Sequence, residues 1–334
     1  YRSTVKNVLA FSPAVLERFV NFMNNPDEKT AVEQFGKGDK YFGVVMMMVT
    51  MPGLPMIGHG QVEGFTEKYG MEYRRAYVDE RADDDLGRRH EAQIFPLMRR
   101  RWLFSGVEHF AFFDFEHKSG QVEENVFAYT NRVADERALV VYNNAYQTVS
   151  GRIRTSVPIN VGPADTPDLQ RRSLIEALDL HVGPHVFWGF RDNRSGLYHI
   201  RHSEDLQSDG LLMELPGYHY QVLLDFEELH DDGTWSELAR RLGGKGVADL
   251  HGARRDLVLE PLHHCLAEAV VSLARGDESM GLIQDLDNEF SRQRVVLDGP
   301  GLAQQLYQLV KWLAEPELPK AVSDFAMGDI PDSE

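Results

Sequence analysis

The sequence has 334 residues, of which 43% are hydrophobic and 26% are charged. This length exceeds the roughly 100–200 residues of one typical domain, so we expect two or three domains, each with its own core. The 35 basic and 52 acidic residues give a formal net charge of −17, which repels phosphate backbones and anionic membrane surfaces. The charge therefore argues against a nucleic-acid partner and leaves small neutral substrates open.

The cysteine content and one short apolar run bear on location. Cys265 is the single cysteine, which excludes an internal disulfide framework, fits a reducing compartment such as the cytoplasm, and predicts a buried structural thiol. The apolar residues 44–49 are too few for the roughly 20 that a membrane-spanning helix needs, so we expect no membrane partner. The chain begins at Tyr1 with no start methionine, and we expect it to be the carboxyl-terminal piece of a longer chain.

The first predicted strand lies between two predicted helices. Residues 13–18 predict a short helix, with Ser12 as its cap. The apolar residues 19–23 then predict a strand that is buried on both faces, as in a parallel sheet. Residues 41–50 predict an apolar helix that stops at Pro52.

A second strand and a longer helix follow in the same order. Residues 55–58 predict a short apolar strand that ends in the polar loop 59–64. Residues 84–104 show helical spacing of five larger side chains, Leu86, His90, Ile94, Leu97 and Trp102. This order of elements is typical of a parallel α/β sheet or barrel with polar groups gathered after each strand.

Two polar motifs close the two predicted strands. Residues 22–27 read Phe-Met-Asn-Asn-Pro-Asp, and residues 50–61 read Thr-Met-Pro-Gly-Leu-Pro-Met-Ile-Gly-His-Gly-Gln. The first is similar to the Asn-His-Asp end of the seventh barrel strand in glycoside hydrolase family 13, the α-amylase family. The second resembles the Leu-Pro-Gly-x-Pro and Tyr-Gly-Gln-Glu motifs around the eighth strand of that family. Together, in this order and one helix apart, they are more specific than either alone.

The resemblance implies an enzyme that acts on an α-glucan or maltooligosaccharide by retaining hydrolysis or transfer. Retaining glycosidases use a nucleophile and a general acid roughly 5–5.5 Å apart. A third carboxylate at the end of strand seven, matched here by Asp27, would hold the sugar hydroxyls and stabilise the transition state. Asn25, Gln61 and Glu63 are the implied substrate-binding residues, with Glu63 either the displaced strand-eight acid or a loop residue.

Two departures and two missing carboxylates separate this sequence from the family pattern. Pro26 stands where the family has histidine, and Val62 is inserted before Glu63. A (β/α)₈ barrel takes about 250 residues, and the α/β part here ends near residue 106, so the nucleophile and general acid have no positions. We expect the parent chain to be the enzyme and this chain alone to be inactive. The alternative is a non-catalytic α-glucan-binding or regulatory homologue. The feature that supports this alternative is Pro26 in place of the family histidine.

From residue 108 the hydrophobic period changes to two. Residues 110–115, 125–132 and 137–144 predict antiparallel strands, similar to the β-sandwich that follows α-amylase barrels. Two later strands are predicted over residues 185–190 and 218–226, with an amphipathic helix over 168–180 before them. The aromatic side chains of this region either pack in the core or stack on sugar rings; these are Trp188, Phe190 and Tyr198.

The last part of the sequence is predicted to be helical. Residues 235–242 form a short helix ended by two glycines, and leucine spacing over residues 257–273 and 302–313 predicts two more. His263 and His264 are adjacent, so they do not form the i, i+4 pair of a zinc site. These helices form a bundle, dock on the missing part of the parent chain, or bind a protein partner. The sequence does not distinguish between these three arrangements.

The predicted fold class is therefore α/β plus all-β: a remnant of a (β/α)₈ barrel followed by an antiparallel β-sandwich and a small helical region. The predicted domains are residues 1–106 for barrel strands seven and eight, residues 107–228 for the sandwich with an insertion near 163–209, and residues 229–334 for the helices. No cofactor motif is visible. The resemblance puts any calcium ligands upstream, in the parent chain.

Overall fold

The computed structural model describes residues 1–68 and 75–274, together with residues 288, 289 and 292. The chain divides into two compact units, Tyr1–Leu250 and His251–Glu334. The first unit holds a small α/β part and a large sheet, and the second begins within a long helix.

The α/β part contains a parallel pair of strands, β1 (Val20–Phe22) and β2 (Leu54–Met56), with Val20 opposite Leu54. The parallel pairing that the apolar runs predict is therefore confirmed. Helices α1 to α6, a 3₁₀ helix and a π-helical turn surround the pair: Arg2–Phe11, Pro13–Arg18 (3₁₀), Ala31–Phe35, Asp39–Thr50, Asp84–Arg89, His90–Ile94 (π), Phe95–Arg99 and Arg101–Ser105.

Ser12 is the N-cap residue of the 3₁₀ helix, as predicted, and its side chain makes no cap hydrogen bond. Two local predictions in this part are wrong. The first strand is not buried on both faces, because β1 and β2 form a two-stranded sheet and Val20 and Phe22 are 48% and 43% exposed. Trp102 is 54% exposed, because the helical run breaks at Arg100 and the indole turns outward to donate to Glu136.

Eight strands form one antiparallel sheet that curls into a half-barrel. Its order is β10-β9-β12-β5-β4-β3-β6-β11. The predicted arrangement of a barrel remnant with a two-sheet sandwich is not confirmed. The strands β3 to β12, including the separate short pair β7 and β8, are Ala111–Glu116, Val126–Val133, Glu136–Asn143, Val149–Ser156, Ile159–Asn160, Leu169–Gln170, Val186–Asp192, Tyr198–His202, Leu211–Leu215 and Tyr220–His230.

Both faces of the large sheet are covered, which explains its apolar sequence. Alternate residues of β3 point to opposite sides, as the period of two requires. Phe112 packs in a core that includes Tyr41 and Phe42 of α3, whereas Phe113 packs in a second core that includes α7 (Leu174–Leu178). The sheet and the α/β part therefore share the first of these cores.

Residues 163–209 contribute two strands of the large sheet, β9 and β10. The helix predicted over residues 168–180 is confirmed only for α7, because residues 169–170 pair with β7. A capping box of Ser173 and Glu176 sets its start. Trp188 and Phe190 are buried in the second core, so core packing is their role in this fold.

The remaining helices are α8 (Ser203–Ser208), α9 (Thr234–Leu242) and α10 (Leu250–Ala274). Gly243 and Gly244 end α9 with φ of +54° and +85°, the left-handed region that glycine adopts without strain. Cys265 is half-buried on α10, so the predicted buried thiol is wrong. The predicted helix over residues 302–313 lies outside the described residues. Among the described residues, no helix is long and apolar enough to cross a membrane.

Candidate functional site

A cavity of about 230 Å³ lies at the carboxyl ends of β1 and β2. Because the two strands are parallel, the chain segments that leave them meet at one edge, which is where barrels and open sheets carry functional side chains. The main polar residues around the cavity are Asn24, Asn25, Glu28, His59, Glu67 and Lys68. One of the four predicted site residues, Asn25, is among them.

Asn25 shapes the turn that follows β1. Its Oδ1 accepts hydrogen bonds from the backbone N–H groups of Asp27 and Glu28, at 2.9 and 3.0 Å. This is the arrangement by which asparagine closes a turn on its own backbone. Asn25 therefore borders the cavity with its amide oxygen already engaged.

Asp27 lies on the exposed outer part of the same turn. Lys68 Nζ donates to the Asp27 backbone carbonyl at 2.8 Å, which ties the turn to the loop after β2. The Asp27 carboxylate has no partner among the described residues and is open to solvent. Asp27 is not one of the residues that line the cavity, although its neighbours Pro26 and Glu28 are.

Gln61 is buried, with only 3% of it exposed, and does not line the cavity. Its Oε1 accepts from the Gly58 N–H at 3.1 Å, and its Nε2 lies 3.4 Å from the sulfur of Met23. The Gln61 carbonyl accepts a hydrogen bond from the Tyr41 hydroxyl at 2.8 Å. Through these contacts Gln61 links the ends of β1 and β2 to α3.

Glu63 is exposed and does not line the cavity. Its backbone carbonyl accepts from Asp83, and its charge acts on Tyr41 and His90. Burial raises the pKa of the Tyr41 hydroxyl and lowers the pKa of the His90 imidazole, and the Glu63 charge raises both. The structure therefore brings Asn25 and Asp27 together in one turn, buries Gln61, and leaves Glu63 exposed outside the cavity lining.

The loop after β2 supplies cavity residues that the motifs did not indicate. Glu67 accepts hydrogen bonds from the backbone N–H groups of Tyr77 and Val78, at 2.7 and 3.1 Å. Glu80 accepts from Thr66 and Glu67, and these bonds outweigh burial and lower the pKa of its carboxyl group. The sequence indicates only that charged residues continue past the second motif. That pattern occurs both in cavity walls and in solvent-exposed loops, so it does not identify these residues as part of a site.

The cavity lining has charged side chains of both signs together with neutral amides. Glu28 and Glu67 carry negative charge, Lys68 is positive, and the asparagine amides are neutral. Within the described ranges, no group of three histidine, cysteine or acidic side chains is arranged to hold a metal ion. The cavity lining can accept hydrogen bonds from a small polar ligand and donate them to it, and the exposed Asp27 lies on the adjoining turn.

No family model matches the sequence, and no curated protein matches it. Solved structures do match. They include the α-amylase from Geobacillus thermoleovorans in complex with acarbose, with 14% identity and a TM-score of 0.40 over 68% of this chain and 46% of that chain. The chain resembles part of this α-amylase-family structure.

Two further solved structures match with similar scores. The debranching enzyme from Nostoc punctiforme, soaked with acarbose, has 12% identity and a TM-score of 0.38, covering 67% of this chain and 37% of that chain. A cyclomaltodextrin glucanotransferase with a three-domain distribution has 16% identity and a TM-score of 0.38, covering 64% and 37%. The chain thus spans less than half of the length of each of these three structures.

Proposed function

We propose that this chain is part of an α-glucan-acting glycoside hydrolase or glucanotransferase of the α-amylase type. One observation supports the proposal most strongly. The two motifs end neighbouring parallel strands, and residues of both border one polar cavity, with Asn25 on its wall and the exposed carboxylate of Asp27 on the same turn.

Asp27 would act on the sugar ring and not on the bond that breaks. Its ionised carboxylate accepts hydrogen bonds from ring hydroxyls, and those bonds strengthen as the ring flattens toward the oxocarbenium-like transition state. An interaction that is stronger in the transition state than in the ground state accelerates the chemical step. The nucleophile and general acid would come from the parent chain, and the 334-residue chain alone would be inactive.

The test compares the parent enzyme with its Asp27→Asn variant on a maltooligosaccharide. We expect kcat to fall by about 100-fold or more, as when one group that stabilises transition-state charge is removed. The fold should persist, because the Asp27 side chain has no partner among the described residues. Asp135→Asn, an exposed aspartate in the turn between β4 and β5, is the matched control and should leave kcat unchanged.

A second candidate function is a non-catalytic α-glucan-binding or regulatory protein. The observation that favours it is Pro26, which offers no side-chain donor where the resemblance implies a histidine. This candidate predicts that the parent binds maltooligosaccharide and that neither it nor the Asp27→Asn variant turns it over. Turnover at equal rates in both would contradict the role of Asp27 in either account.

A further inference from the structure

Gln34 is a polar residue outside both strand motifs that binds the turn carrying Asp27, residues 24–28. It lies in α2, the helix that follows this turn. Its Nε2 donates to the Met23 carbonyl at 3.1 Å and to the Lys29 carbonyl at 2.6 Å. A side-chain amide nitrogen carries two N–H donors, so each carbonyl takes one of them. One side chain therefore joins the residue before the turn to the residue after it.

The helix that carries Gln34 is itself attached to the core. Ala31 and Val32 are buried and pack in the core that the α/β part shares with the large sheet. Thr30 is also buried and caps the helix by accepting a hydrogen bond from the Glu33 N–H at 3.4 Å. Because these contacts hold its backbone, Gln34 ties the turn to the core.

The position of the Asp27 carboxylate depends on the backbone of this turn, because the side chain has no partner among the described residues. Three other side chains bind that backbone, namely Asn25 from within the turn, Lys68 from the loop after β2, and Gln34. Lys68 is exposed, where water readily replaces a hydrogen bond. Of these three side chains, Gln34 is the one that attaches the turn to a helix of the core.

We propose that Gln34 is a positioning residue, which holds the Asp27 carboxylate in place for the transition state. The role of Asp27 rests on the proposed function, whereas the two hydrogen bonds of Gln34 rest on the geometry alone. Gln34 does not line the cavity, so its effect on the reaction runs through Asp27. A displacement of about 1 Å in a reacting site can cost about 100-fold in rate, so a side chain that touches no substrate can matter.

The first test compares the parent enzyme with its Gln34→Met variant on a maltooligosaccharide. Methionine is close to glutamine in length and helix propensity, but its side chain has no N–H donor. We expect kcat to fall about 10- to 100-fold while KM changes less than about twofold, because the Asp27 interaction strengthens in the transition state. Glu33→Gln, an exposed change in the same helix, is the matched control and should leave kcat unchanged.

A double variant separates positioning from a general structural role. In the Asp27→Asn background, Gln34→Met should lower kcat by less than about a further twofold, since the group that Gln34 positions is already altered. Gln34→Lys keeps N–H donors at this position and should restore most of the lost kcat. A purely structural role predicts the same loss in both backgrounds.

A second readout, amide hydrogen exchange in the 334-residue protein, needs no activity. The Asp27 and Glu28 N–H groups donate to Asn25 Oδ1, and the turn should open more often once its two ends are no longer joined. We expect Gln34→Met to speed exchange of these two amides about tenfold. Glu33→Gln should leave their exchange unchanged.

The outcomes distinguish this inference from the proposed function. Unchanged exchange in Gln34→Met, or equal losses of kcat in the two backgrounds, overturns the inference and leaves the proposed function standing. Faster exchange with unchanged kcat also overturns it and assigns Gln34 to the stability of the turn. If Asp27→Asn itself leaves kcat unchanged, or if the parent has no turnover, the proposed function is contradicted and this inference fails with it.

Discussion

At the scale of single residues, His90 is a buried imidazole beneath the loop that follows β2. Its Nδ1 lies 2.9 Å from the Leu86 carbonyl, and its Nε2 lies 3.2 Å from the Tyr41 hydroxyl. Burial lowers the pKa of His90 below its ordinary value of 6.5; the Leu86 carbonyl and the Glu63 charge act against the shift, and Arg89 adds to it. The protonated form is therefore disfavoured in the folded protein.

This shift predicts a stability that depends on pH. Between the folded pKa of His90 and 6.5 the unfolded state binds more protons, so the free energy of unfolding falls as the pH is lowered through that range. His90→Phe keeps a ring against Phe42 and Phe95 and removes this contribution. We expect the unfolding free energy of the wild type, minus that of the variant, to decrease from neutral to mildly acidic pH. Urea titrations at each pH measure both values.

His185→Phe is the control for this prediction, because His185 is exposed. The difference in unfolding free energy between wild type and His185→Phe should not change over the same pH range. A constant difference for His90→Phe as well would contradict the account of His90.

The amides at the strand ends show what a sequence predicts about a site and what it does not. The motifs indicated Asn25 and Gln61 as substrate-binding residues, and both lie at the predicted edge. Their oxygens accept from the backbone N–H groups of Asp27, Glu28 and Gly58, whereas the oxygen of Asn24 is buried with no partner among the described residues. Whether an amide oxygen is hydrogen-bonded depends on the direction of the N–H groups in the turn. That direction cannot be predicted from the residue types.

At the scale of elements, α3 packs on the large sheet through a glycine. A methyl group built on Gly43 would come within 2.0 Å of the Tyr142 ring of β5. Glycine lowers helix stability by about 1 kcal/mol relative to alanine, so its presence in mid-helix reflects the close approach. Gly87 in α4 has no atom within 4 Å of the corresponding position.

These two glycines make a matched pair. Gly43→Ala should lower the free energy of unfolding by about 1–3 kcal/mol, because overpacking outweighs the gain in helix propensity. Gly87→Ala should raise it by up to about 1 kcal/mol, since only the propensity changes. Chemical denaturation measures both, and stabilisation by Gly43→Ala would show that Tyr142 does not restrain α3.

Elements with local signals were predicted well. Periodicity found α3, β3 to β5, β9, β12 and α9, because each has an apolar pattern that its own residues set. The helix over residues 168–180 was overextended because Leu169 and Gln170 pair with Ile159 and Asn160, a choice made by distant residues. The exposure of β1 depends on which elements cover it, and its apolar residues alone predict the opposite.

At the scale of the whole molecule, ion pairs join the helices of the α/β part to the large sheet. Asp225 in β12 binds Arg100 at 2.6 Å and Arg191 at 2.8 Å, and Asp39 of α3 binds Arg89 and Arg194. Burial acts against ionisation of Asp225, but hydrogen bonds from Arg100 and Arg191 outweigh it and lower the pKa of its carboxyl group.

The lowered pKa gives a prediction for acid unfolding. Asp225 contributes stability above its unfolded pKa of 3.8, and that contribution is lost as the pH falls through the lower folded value. Asp225→Asn should cost about 1–2 kcal/mol near neutral pH, less than a fully buried pair because a third of the side chain is exposed. Acid titrations followed by circular dichroism should converge for wild type and variant at low pH, and a constant gap would contradict this.

The order of the strands lay beyond the sequence. Five strands were predicted after residue 108, and β6, β10 and β11 of the large sheet were missed. In that sheet β12 lies between β5 and β9, and β11 pairs with β6. Alternating apolar residues show which face of a strand is buried, but they do not show which strands pair with it. The same strands can therefore form one curled sheet or two packed sheets.

The central claim is that the cavity at the ends of β1 and β2 binds the sugar. It is tested most directly by NMR of the protein labelled with ¹⁵N-asparagine, before and after saturation with maltotriose. We predict that the side-chain signals of Asn24 and Asn25 shift, while those of Asn131 and Asn143 in the large sheet do not. Binding that leaves the signals of Asn24 and Asn25 unchanged would contradict the claim.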